Sequence, residues 1–162
     1  MLVSGCMFVN KENEENKDNI TPRQYAEKQA EKLMQEIIKK DKEGIKSLFS
    51  KQMKQAQGFD KEIEGLLEFI DGEIISYDMP FGNMHGGTTK PGEGYVVQRI
   101  SGEINNVKTD KGGNYTIGFM SYYIYDENED LIGINTISVI DENSYTKKEQ
   151  YIPSSIYRIG VD

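Results

Sequence analysis

Val3-Ser4-Gly5-Cys6 sets the only cysteine of the chain behind two small residues, the pattern at which a bacterial lipoprotein is cut and acylated. Ser4 and Gly5 let the bond before the cysteine lie extended in a peptidase groove. The Cys6 thiolate then supplies the nucleophile that takes a diacylglyceryl group. A buried cysteine is the plainer alternative, but the run from Asn10 to Asn19 is polar and charged and would not carry Cys6 into a core. Only Met1-Leu2-Val3 precede the small residues, whereas a signal needs an apolar stretch of about 7 to 15 residues, so Met1 is expected to be internal to a longer precursor. The lipobox gives an address, extracytoplasmic and anchored to the bacterial cell membrane through Cys6, and no activity.

The other residues with chemical potential carry less specific signals. His85 is the one histidine. It stands in a Gly-rich stretch from Met79 to Gly94 that reads as a long loop, where a binding or lid residue is often found. One histidine cannot build a histidine-rich metal site, and as a base it would need a carboxylate such as Asp78 beside it. Asp126-Glu127-Asn128-Glu129-Asp130 puts oxygen donors at alternate positions, as in the first half of a calcium loop. Leu131 stands where the sharp turn wants glycine and Ile137 where the bidentate glutamate belongs, so the run reads as a solvated acidic hairpin and no metal is expected. Gly82 to Gly87 lacks the Gly-Lys-Ser/Thr that a phosphate cradle requires.

The elements that must position these residues follow from periodicity. Residues 1–20 form the signal remnant and a polar tether, and 21–162 one domain. Thr21-Pro22-Arg23-Gln24 is a capping box with proline at the first helical position. Ala26, Ala30, Leu33, Met34, Ile37 and Ile38 then recur at helical spacing. Asp41 caps a second helix with Ile45, Leu48, Phe49 and Met53 inward, ending near Gly58. A third runs from Asp60 with Ile63, Leu66, Leu67 and Ile70 inward, and Asp71-Gly72 stops it. Period 2 takes over in strands at 73–78, 95–107, 115–125 and 131–140, with turns at Asp110-Gly113 and Glu127-Asp130. The expected fold is α+β: three N-terminal helices packed on a strongly curved antiparallel meander.

Four-residue turns predict which side chains share a face. Val96, Gln98, Ile100, Ile104, Tyr115, Ile117, Phe119, Ser121, Tyr123, Tyr125, Ile132, Ile134, Thr136, Ser138 and Ile140 form the inner one. Met120, Tyr122, Ile124, Ile137 and Val139 fall on the outer face, an apolar surface that predicts a homodimer or a cover from Tyr151, Ile152, Ile156, Tyr157 and Ile159. On the inner face Gln98, Ser121, Tyr123 and Thr136 lie among apolar groups. They either bond to nearby backbone or line a mostly apolar pocket for a small molecule or peptide, with His85 at its cap.

Composition excludes some partners. With 27 acidic against 19 basic residues the net charge is -8, which repels phosphate backbones, so no nucleic acid is expected. No cofactor is implied either.

Thr109-Asp110-Lys111-Gly112, Tyr122-Tyr123-Ile124-Tyr125-Asp126-Glu127-Asn128 and Leu131-Ile132-Gly133 resemble an uncharacterised Gram-positive lipoprotein family, domain of unknown function 5104, over about residues 21–145. The order of elements resembles the nuclear transport factor 2-like, cystatin-like cone superfamily. These resemblances imply a pocket at the wide end of a cone, frequent dimerisation through the sheet and no assigned activity. Binding modules, isomerases and dehydratases share that fold, so it does not choose between them. The sequence reading is a lipid-anchored binding domain. Its alternatives are an isomerase- or dehydratase-like enzyme in the same pocket, or an interaction protein joined through its sheet.

Overall fold

The computed structural model describes residues 20–144 and 156–160. Cys6, the tether, Tyr151 and Ile152 lie outside them. Helix α1 (Pro22–Lys39) starts where the capping box puts it. The Thr21 N–H donates to Gln24 Oε1 at 2.9 Å and the Gln24 N–H to Thr21 Oγ1 at 3.2 Å, so each residue satisfies an amide the helix leaves open. Asp41 caps α2 (Lys42–Ser47) by accepting from the Gly44 N–H at 3.0 Å.

The second predicted helix is two pieces, so among the described residues four α-helices precede the sheet rather than three. The helix ends at Leu48, which keeps helical dihedrals, and the chain then pairs with the sheet: the Ser50 N–H donates to Ile134 O at 2.9 Å and the Ile134 N–H to Leu48 O at 3.0 Å. Ser50 then caps α3 (Lys51–Lys54). Those two bonds go with burial of Phe49 and Ile134 against each other's elements, which one more helical turn would not provide. Helix α4 (Phe59–Phe69) presents Ile63 and Leu66 inward as predicted.

Among the described residues six strands form one antiparallel sheet: β1 (Ile74–Ser76), β2 (Phe81–Lys90), β3 (Gly94–Thr109), β4 (Asn114–Tyr125), β5 (Gly133–Asp141) and β6 (Ile156–Ile159). The order is β1-β3-β4-β5-β6, and β2 pairs with another stretch of β3. β2 replaces the predicted Gly-rich loop. Its side chains are almost all exposed, so apolar alternation gives no signal, and its order comes from backbone pairing to β3. β1 pairs with Lys108 and Thr109 and β2 with Gly94 to Glu103, on either side of a bulge at Asn105-Asn106 that lies between Ile104, opposite Ile117, and Val107, opposite Tyr115. Asn106 takes φ 53° there, and its Nδ2 donates to Asp78 Oδ2 at 2.6 Å. Asparagine tolerates that left-handed conformation better than most residues.

One core cluster joins the helices to a single face of the sheet. Val96, Gln98, Ile100, Ile104, Tyr115, Ile117, Phe119 and Ser121 are buried as predicted. On β5 Ile134 is inside as predicted, and from Thr136 onward the faces are exchanged. Phe119 stands opposite Ile137 and Ile117 opposite Val139, so these two enter the core, while Thr136 stands opposite Met120 on the outer side. The cause is a bulge between Met120 and Ser121, which face Thr136 and Ile134 and leave Asn135 as the extra residue.

Helix α1 lies close on the sheet because two paired glycines admit it. A Cβ on Gly82 would strike Arg23 O and the Glu27 amide of the helix backbone; one on Gly102 would strike the Phe119 ring and approach Ala30. Ala26 and Ala30, both fully buried, complete that thin layer. β6 extends the sheet instead of covering its outer face. Ile159 is buried, and the Tyr157 hydroxyl donates to Glu62 O at 2.7 Å.

Candidate functional site

The break between α2 and α3 opens a cleft. α1 forms one wall with Tyr25, Lys28, Gln29 and Lys32; the segment from Ser47 to Lys54 forms another; Glu129, Asp130, Ile132 and Gly133 of the β4–β5 connection close the third side. Its volume is about 830 Å³, enough for a small organic molecule. Phe49, 2% exposed and edge-on to Phe59 with ring centres 4.8 Å apart, is its apolar floor, with Leu48 and Ile132 beside it.

Three polar features face this floor or its walls. Gln29 is nine-tenths buried, and its Oε1 finds no hydrogen-bond partner among the described residues. Helical spacing puts it one turn from Tyr25, whose ring meets Tyr123 with centroids 4.9 Å apart. Burial raises the Tyr25 pKa above the ordinary phenol value and the nearby Tyr123 adds to it, so the hydroxyl stays protonated and can donate. Lys28, Lys32, Lys51 and Lys54 rim the opening.

Those lysines stand out within an acidic chain. Among the described residues seven lysines form ion pairs, including Lys51 with Asp130 at 3.0 Å. Lys28, Lys32 and Lys54 form none there; Glu36, four residues beyond Lys32, pairs with Lys39 at 3.2 Å instead. Lys28 and Lys32 are neighbours on one helix face, an arrangement that costs about 0.2–0.5 kcal/mol without a counter-charge.

The pocket predicted from sequence is divided by the sheet. Gln98 is buried and its Nε2 donates to Met84 Sδ at 2.9 Å. Ser121 is 2% exposed with its Oγ unpartnered among the described residues, and Tyr123 reaches α1. Thr136 and His85 are on the outer face, where they share a shallow hollow with Ser101, Met120 and Ser138. His85 is exposed, and its Nε2 lies 2.7 Å from Ser101 Oγ. Asp78, the carboxylate proposed to orient it, is exposed and bonded to Asn106. The outer face is also less apolar than predicted. With Ile137 and Val139 in the core and Ile124 opposite the buried Gln98, only Met120 and Tyr122 of the expected set remain there.

The cleft escapes sequence reading because its parts come from three separate segments. Lys28 and Lys32 look like a solvated helix face, and the break that places Leu48 and Phe49 along the cleft depends on Ile134, more than eighty residues away. Among the described residues no three histidines, cysteines or carboxylates gather as a metal site would require, and no helix is long and apolar enough to cross a membrane.

Helices followed by an antiparallel sheet, with a lysine-rimmed cleft where they part, define an α+β domain. The chain belongs to the family described as Domain of unknown function (DUF5104), which matches residues 32–142. It matches no curated protein.

Proposed function

We propose that this protein is a lipid-anchored extracytoplasmic binding domain that captures a small molecule or peptide in the cleft between α1, α3 and the β4–β5 connection. The observation that carries the reading is a cleft of about 830 Å³ with an apolar floor, rimmed by Lys28, Lys32 and Lys54, which form no ion pair among the described residues. A few fixed polar groups around an apolar floor also match how small-molecule sites are built. Binding is favoured over catalysis because no histidine lines the cleft and its two carboxylates are exposed at the rim, one held by Lys51. The helices-then-sheet order supports a nuclear transport factor 2-like cone, and Val3-Ser4-Gly5-Cys6 supports the anchor.

Two measurements test the proposal. Native mass spectrometry of the protein from its own cells should show a small bound species that Leu48→Arg, with an unchanged circular dichroism spectrum, no longer retains; equal retention by both removes the cleft as the site. Protein from the membrane fraction should carry a lipid adduct on an N-terminal Cys6. An unprocessed chain starting at Met1 in the cytosol would overturn the anchor. Self-association through the outer face keeps little apolar support, and sedimentation of a monomer at high concentration would exclude it.

A further inference from the structure

We propose that the ligand of this cleft is a small organic anion, with a carboxylate or phosphate held at the lysine rim and an apolar body against Leu48, Phe49 and Ile132. This rests on the reading of the cleft as a binding site. Its basis is where the unpaired positive charge lies. The chain carries -8 overall, and most described lysines are matched to a carboxylate. Among the described residues five lysines have no ion pair; Lys61 and Lys108 lie elsewhere, and the other three, Lys28, Lys32 and Lys54, line this one opening. Glu129 and Asp130 share the lining, but Asp130 is engaged by Lys51, so lysines outnumber carboxylates there.

Two walls contribute this charge independently. Lys28 and Lys32 come from α1; Lys54 comes from α3, which exists because Ser50 breaks the preceding helix to pair with Ile134. Lysine ammonium groups are mobile point charges that meet an oxyanion without demanding one geometry. Deeper in, Gln29 lines the same wall and the protonated Tyr25 hydroxyl can donate. A purely apolar ligand would leave the rim lysines without a counter-charge, and a free inorganic anion would leave Leu48 and Ile132 wet. An anion with an apolar body satisfies both ends.

Two dyes with the same rings separate these contributions in the full chain: anilinonaphthalene sulfonate, which is anionic, and phenylnaphthylamine, which is neutral. The sulfonate stands in for carboxylate or phosphate. Saturable binding of the anionic dye is expected, weakened about tenfold, or about 1.4 kcal/mol, by Lys28→Gln/Lys32→Gln. Lys61→Gln/Lys108→Gln, which removes the same charge elsewhere, should leave its affinity unchanged, and the neutral dye should not distinguish the three proteins. Raised salt should weaken only the anionic dye. Near-ultraviolet circular dichroism checks that each protein keeps fixed tertiary packing, since loosely packed chains bind such dyes without a site. If both dyes bind equally, ignore the lysine changes and are lost with Leu48→Arg, the anion inference is wrong and the binding site stands. If neither dye binds, or Leu48→Arg affects neither, the binding-site reading falls with it.

Discussion

Phe119→Ala is expected to cost about 3–5 kcal/mol of folding stability, a large part of the 5–15 kcal/mol typical of a domain. The ring is 3% exposed and lies over Gly102, with Ala30 of α1 beyond and Ile137 opposite on β5. Glycine and alanine have no side chain that could turn into the space, so the cavity cannot collapse cheaply. The same geometry predicts coupling. Gly102→Ala alone should destabilise, because its Cβ meets the Phe119 ring, and should be tolerated better in the Phe119→Ala background, where that Cβ enters vacated space. Urea unfolding of the four proteins gives the cycle, with the midpoint shifting at nearly constant slope. A loss below about 1 kcal/mol for Phe119→Ala would mean that α1 settles onto the sheet, contrary to its close backbone approach at Gly82.

What could be read from the sequence was whatever short-range chemistry decides. Thr21 and Gln24 form their reciprocal cap, Asp41 caps α2, and Asp110 to Gly113 makes the four-residue turn between β3 and β4. The pairing beside it is one residue off, with Lys108 rather than Thr109 opposite Asn114, and the bulge at Asn105-Asn106 then restores the predicted faces of β3 and β4 from Ile104 to Ser121. Failures begin where a distant group intervenes. The helix ends at Leu48 and the chain turns to Ile134, and β2 is ordered by β3 despite Gly82, Gly86 and Gly87. The candidate site suffered most, because each of its walls is ordinary in isolation. Glu36 offers Lys32 a partner at helical spacing, and only the folded chain shows it turned to Lys39.

Asn135→Leu is expected to cost about 2–3 kcal/mol, at roughly 1 kcal/mol for each of three hydrogen bonds lost. Its Nδ2 donates to Leu131 O at 2.9 Å and to Gly133 O at 2.8 Å, while Oδ1 accepts from Ser50 Oγ at 2.9 Å. These bonds fasten the bulge that reverses the faces of β5, and they join it to the break between α2 and α3. Asn135→Asp separates the two functions: a carboxylate keeps the Ser50 bond and loses both donations, so it should fall between wild type and leucine. Neither variant should convert β5 to the register predicted from a four-residue turn. That register would bury Thr136 and Ser138 and expose Ile137 and Val139, exchanging two core side chains for two hydroxyls. The damage should instead reach the cleft, since Gly133 and Ile132 form one of its sides, and binding of the anionic dye should weaken along with stability. Leucine at 135 with unchanged unfolding midpoint and unchanged dye affinity would show that burial of Ile134, Ile137 and Val139 sets the bulge by itself, with Asn135 a bystander.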